Sequence, residues 1–139
     1  MIIDSRLQVS SDQALTGTSA VASEDVIDLG AERLIGPGDP MWWVIVAKIG
    51  LAGTTPTLDI DIETDTVENF ASATTLLSHP QLAAADFATG ATVIIPMPFT
   101  NQRYLRLSYD MGGTTPTCTV DAFLTNQDPT KWASQPNAI

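Results

Sequence analysis

Apolar and polar residues alternate with a period of two in several short runs, and phrases rich in Gly, Pro and Thr separate them. Met41 to Ile49 is almost wholly apolar, Leu58-Asp-Ile-Asp-Ile-Glu63 alternates strictly, and Arg103 to Tyr109 and Cys118 to Leu124 alternate again. This is the pattern of antiparallel β-strands. One five-residue phrase, Gly-Thr-Thr-Pro-Thr, occurs at Gly53 to Thr57 and again at Gly113 to Thr117, each time between two such runs. Each copy is therefore expected to connect a β-hairpin, with glycine supplying unusual backbone angles and Pro56 or Pro116 stiffening the exit.

Parity assigns faces to these strands. Trp43, Ile45, Ala47 and Ile49 fall on one face, and Trp42, Val44, Val46 and Lys48 on the other, which Lys48 marks as the wetter. Trp42 is then either an exposed aromatic or one covered by the loop before it, where Gly36, Pro37, Gly38 and Pro40 crowd together. Ile60, Ile62, Leu105, Leu107, Tyr109, Cys118, Val120, Ala122 and Leu124 are expected to point inward, with Tyr104, Arg106 and Ser108 opposite. Shorter strands are predicted at Asp25 to Leu29, Ala73 to Leu77 and Ala91 to Ile95, and Leu82 to Ala88 reads as a helical turn or an irregular edge segment. Six or seven short strands with frequent turn signals predict an all-β chain, a jelly roll or β-sandwich. Eighteen threonines support the same class through their β-branched preference.

The ends carry less pattern. Residues 1–24 are polar with a thin apolar thread and read as an N-terminal arm, residues 25–125 as the sandwich, and residues 126–139 as a C-terminal tail holding one large aromatic, Trp132. The N-terminal segment is open to two further readings, a frayed terminus or an edge strand on its own domain.

Composition narrows the function. The 139 residues suffice for one domain with a substantial core, and 44% hydrophobic against 16% charged residues fits a folded globular chain. With 16 acidic against 6 basic side chains the net charge is -10, the wrong sign for a nucleic-acid groove. No run approaches the roughly 18 apolar residues of a membrane helix, and the N-terminus lacks the pattern of a secretion signal, so the chain is expected to stay in the cytosol where it is made. The single cysteine, Cys118, sits at a strand position and reads as a small buried side chain.

Candidate chemistry is sparse. The ladder Asp59, Asp61, Glu63 starts like a calcium loop, but Thr64 stands where glycine is needed and Phe70 where glutamate is needed. Carboxylates on one strand face are also about 6.6 Å apart, a poor spacing for sharing one ion. His79, the only histidine, lies in a predicted loop, and no nucleophile elbow, phosphate-binding loop or zinc cluster is present. No catalytic residue, metal or cofactor is expected. The candidate residues are instead those of a protein interface: Ile2, Ile3, Leu7, Val9, Trp42, Tyr104 and Trp132.

The ordered set Asp12-Gln-Ala-Leu-Thr-Gly-Thr-Ser19, Asp25-Val-Ile-Asp-Leu-Gly30, Val93-Ile-Ile-Pro96, Arg103-Tyr-Leu-Arg-Leu107 and Gly113-Thr-Thr-Pro-Thr117 resembles the capsid cement, or decoration, proteins of tailed bacteriophages. The match runs from the N-terminus to about Leu124 and leaves the tail unmatched. The resemblance implies a jelly-roll subunit on the outer surface of the virion, a homo-oligomer whose partner is the major capsid protein lattice. It carries over no catalytic residues. A dimer is favoured over a trimer because two-fold closure is the commonest arrangement. The alternative is a carbohydrate- or receptor-binding sandwich using Trp42, Tyr104 or Trp132 as stacking platforms.

Overall fold

A computed structural model describes residues 3–32, 34, 35, 38 and 40–129. The expected class is what it contains: eight strands, all antiparallel, and no α-helix among the described residues. They are β1 (Gln8–Thr16), β2 (Val21–Ala22), β3 (Ile27–Asp28), β4 (Trp42–Asp65), β5 (Thr74–Ser78), β6 (Leu82–Ala83), β7 (Thr92–Pro96) and β8 (Tyr104–Thr125).

The Gly-Thr-Thr-Pro-Thr phrases are not hairpin turns. Each lies inside one unbroken strand, β4 of 24 residues and β8 of 22, and the two strands pair with each other from Trp42↔Thr125 to Asp65↔Tyr104. The runs before and after each phrase therefore pair with the other long strand, not with one another. Both phrases bend without reversing, and they meet: Ala52 faces Thr117 and Thr54 faces Thr114. The backbone is alike in the two copies, with Gly53 at φ 133° and Gly113 at φ 99°, and Thr55 and Thr115 at φ 46° and 49°. Pro56 and Pro116 are buried at the crossing.

This double bend divides the ribbon between the two four-stranded layers of one sandwich. Residues 42–47 of β4 lie between β7 and the end of β8, which is flanked in turn by β1. Residues 57–65 of β4 lie between β5 with β6 and the start of β8, flanked by β2 and β3. Two four-stranded antiparallel faces wrapped from one long ribbon make the topology of a jelly roll.

The core between them follows the parity of the sequence. Trp43, Ile45, Ile60, Ile62, Leu105, Leu107 and Val120 are fully buried, and Leu124 is 2% exposed. Ile49 departs from expectation, at 61% exposed, because the β4–β8 register shifts on both sides of it and turns it out of the core. Tyr104 departs the other way and is buried.

The N-terminal arm must also be corrected. From Gln8 onward it is strand β1, paired with β8 from Gln8↔Phe123 to Thr16↔Thr117, and Val9 and Leu15 belong to the core. Two register shifts and a left-handed Asp12 break the alternation that would have disclosed a strand. Its buried polar groups are satisfied. Ser10 Oγ donates to Gln13 Oε1 (2.7 Å) and lies 2.8 Å from Tyr109 Oη, while Gln13 Nε2 donates to the Ala22 carbonyl (2.8 Å).

Candidate interaction surfaces

The outward face of the β7, β4, β8, β1 layer is apolar where strand alternation would ordinarily put polar groups. Cross-strand rows run Ile94–Val44–Phe123, with Pro96–Trp42–Thr125 beside it and Thr92–Val46–Asp121 on the other side. Val44 and Phe123 are buried beneath this face, at 1% and 3% exposed, and its accessible apolar groups are the half-buried Trp42, Val46 and Ile94. Ile3, 41% exposed, reaches this face and lines two hollows. One, of about 290 Å³, includes Val44, Val46 and Phe123, and the other, of about 330 Å³, includes Leu7, Met41 and Leu124. At the margin Lys48 forms ion pairs with Asp12 and, at 3.8 Å, with Asp121.

The opposite layer presents acid. Along β4, Asp59, Asp61 and Glu63 face Asp110, Ser108 and Arg106 of β8. Glu63 accepts from Arg106 Nε at 2.6 Å, and the Arg106 guanidinium stacks on Phe70 at 4.2 Å from the ring centre. Asp59 accepts from Gln81 Nε2 (3.1 Å), yet none of the ion pairs among the described residues involves Asp59, Asp61 or Asp110. The domain is thus two-sided, apolar on one outer face and negative on the other.

Among the residues expected at an interface, Ile3 and Leu7 come together at one hollow, with Trp42 on the same outer layer. Val9 does not qualify, since its side chain is sealed in the core. Tyr104 does not either. Its position at the last pair of the ribbon, opposite Asp65, leaves it 8% exposed with the Arg103 guanidinium 5.0 Å over its ring. Ile2 and Trp132 lie outside the described residues. The Val44–Phe123–Ile94 row was missed by sequence reasoning, although Phe123 stood there as an apolar residue out of phase with Val120, Ala122 and Leu124.

No group of three or more potential metal ligands occurs among the described residues. His79 Nδ1 lies 2.7 Å from the Pro80 carbonyl, and burial pushes the Cys118 thiol up to about 11, away from reactivity.

Asp28 and Arg103 form a two-pronged ion pair, Nε to Oδ1 at 2.7 Å and an amino group to Oδ2 at 2.9 Å. The guanidinium, helped by the Gly30 N–H, holds the Asp28 carboxyl at about 2 against an ordinary 3.8. A folded value below the unfolded one means that this pair's contribution is present above pH 3.8 and is lost as the pH falls towards 2. Asp65 is lowered too: burial opposes its charge, but the N–H groups of Ser72, Val67 and Thr66 outweigh that effect. Asp28→Asn should therefore flatten part, and only part, of the acid limb of a stability-versus-pH curve. A variant with the parent's full acid limb would show that the exposed pair contributes nothing.

The sequence model of the Bbp16 family matches residues 9–124, and the chain belongs to that family. No curated protein matches it.

Proposed function

We propose that this Bbp16-family chain is a structural subunit that decorates the outer surface of a phage capsid and braces neighbouring shell subunits. The carrying observation is the two-sided sandwich, with the exposed Ile3 and the half-buried Trp42, Val46 and Ile94 on one outer layer and Asp59, Asp61 and Asp110 on the other. Contiguous apolar surface rimmed by polar residues is the mark of a protein–protein contact. In this reading the apolar layer sits on the shell and the acidic layer faces solvent. The resemblance to cement proteins supports the same assignment, and its residues fall on β1, around β3, and on β7 and β8. Many identical weak contacts over a lattice add up through effective concentration, so no single one needs to be strong. The role requires no chemical step, cofactor or membrane.

The carbohydrate-binding reading loses a platform, because the Tyr104 ring is buried beneath Arg103. Trp42, half-buried in a row with Pro96 and Thr125, suits a broad apolar contact better than an isolated sugar-stacking ring.

The test is to mix the purified protein with undecorated capsids and image the sedimented particles. Symmetric added density is expected. Val46→Asp, which puts a second carboxylate beside Asp121 on the apolar layer, should lower occupancy at least about tenfold at limiting protein, the scale of a desolvated charge at a contact. Bare capsids at saturating protein would overturn the function, and parental occupancy by folded Val46→Asp protein would overturn the choice of face.

A further inference from the structure

We infer that β5 is the edge through which a second copy of this chain joins the sheet, strand against strand and antiparallel, about a two-fold axis. The other edges are each defended in a recognised way. β1 is bulged twice and carries Asp12 in a left-handed conformation. β7 ends on Pro96, with Pro98 close behind. β2, β3 and β6 are two residues long. β5 is Thr74-Thr-Leu-Leu-Ser78, and from Ala71 to His79 there is no Asp, Glu, Lys, Arg or Pro. Its remaining defences are its length and one register shift on the ladder with β4, between Ile62 and Glu63.

β5 closes the strand order, with β4 on one side and no described strand on the other. Thr74, Thr75, Leu77 and Ser78 are exposed. His79 N–H donates to the Ile60 carbonyl at 2.9 Å while Ser78 faces Asp61, and in an antiparallel ladder that phase turns the Ser78 N–H and C=O away from β4. Leu77 lies opposite Ile62, yet Leu77 is 39% exposed where Ile62 is fully buried, so the sandwich is open along this edge. An added strand would cover Leu77 and pair the outward backbone groups.

A second copy is the occupant that the neutral segment permits and its self-complementary Thr and Leu side chains favour. The chain's charge of -10 opposes contact between copies in general, but this segment is neutral and offers no charge by which to select a foreign strand. Four strands in the order β4, β5, β5, β4 would hold the two acidic rows roughly 14 Å apart, beyond a Debye length of about 10 Å in 0.1 M salt. Thr and Leu are also good cross-strand partners for themselves, as a two-fold contact requires. Five paired residues a side bury far less than the roughly 1,600 Å² of a standard interface, so the dimer is weak in dilute solution. Its strengthening on a shell rests on the decoration reading, but its existence in solution does not.

Sedimentation velocity from micromolar to millimolar protein in about 0.15 M salt reads the association directly. The parent should show a concentration-dependent monomer–dimer equilibrium. Ser78→Pro removes an outward N–H and spares the bonds to β4, and Leu77→Lys places a charge on the edge, so each should raise the dimer Kd at least about tenfold with unchanged thermal unfolding. A parent that stays monomeric throughout, or a folded variant of either kind that dimerises as the parent does, overturns the inference. Should Ser78→Pro fail to fold, Leu77→Lys decides, since its side chain is already exposed. Capsid occupancy measured alongside separates the two readings: decoration by a monomeric parent removes only this inference, and a β5-dependent dimer that never decorates removes only the function.

Discussion

Gly113→Ala is expected to be among the most damaging single substitutions in this protein, costing roughly 2 to 6 kcal/mol from left-handed backbone strain together with overpacking. Gly113 sits at φ 99°, and a Cβ there would come within 2.6 Å of the Thr55 carbonyl oxygen and 2.8 Å of that of Thr54. Both obstacles are backbone atoms of the other repeat, so no side chain can swing aside to relieve them. The symmetric site is slightly roomier, with the nearest oxygen, that of Thr114, at 2.9 Å from a Cβ on Gly53. Gly53→Ala should therefore be harmful but the lesser of the two. Urea denaturation of both variants checks this, and an unchanged midpoint for Gly113→Ala would mean the two phrases do not approach as closely as described.

Trp43→Ala should cost roughly 3 to 5 kcal/mol, the usual range for removing a large buried aromatic. Trp43 has no exposed surface, stands between Ile95 of β7 and Leu124 of β8, and directs its indole N–H at Met97 Sδ, 3.0 Å away. Against a typical total of about 5 to 15 kcal/mol, the loss would leave a domain near the limit of folding. Trp43→Phe keeps most of the volume and should recover a large part of the loss. If Trp43→Ala unfolded at the parental urea concentration, the indole could not be part of the core.

Side-chain parity could be read from the sequence because it depends only on neighbours along one strand. Ile60 and Ile62, or Leu105 and Leu107, alternate with polar residues and went where alternation sent them. The bends could not be read that way. Gly-Thr-Thr-Pro-Thr between two alternating runs looks locally the same whether the chain reverses or only turns a corner, and the difference lies in a partner sixty positions away. β1 stood only as one of three readings for a related reason, since between Val9 and Leu15 its other buried positions, Ser10 and Gln13, are polar and two register shifts put Ser10 out of phase. As for the surface, Lys48 suggested a wet face for Trp42, Val44 and Val46, but it lies at the margin, where Asp12 and Asp121 hold it. The apolar patch needed Phe123 and Ile94 from two other strands before it became visible.

The long ribbon also dictates how the domain must assemble in time. Asp65 meets Tyr104 across 39 positions of chain, whereas Trp42 meets Thr125 across 83. A doubling of loop length adds only about 0.6 kcal/mol of closure entropy, so the nearer end has a small head start and zipping should run from there, through the crossed repeats, to the farther end. Every step joins distant segments, which places this chain among slow folders. Because β4 and β8 run through both layers and form the central pair of each, neither layer keeps its centre when the other is lost. The domain should come apart in a single transition, without a half-unzipped state at equilibrium.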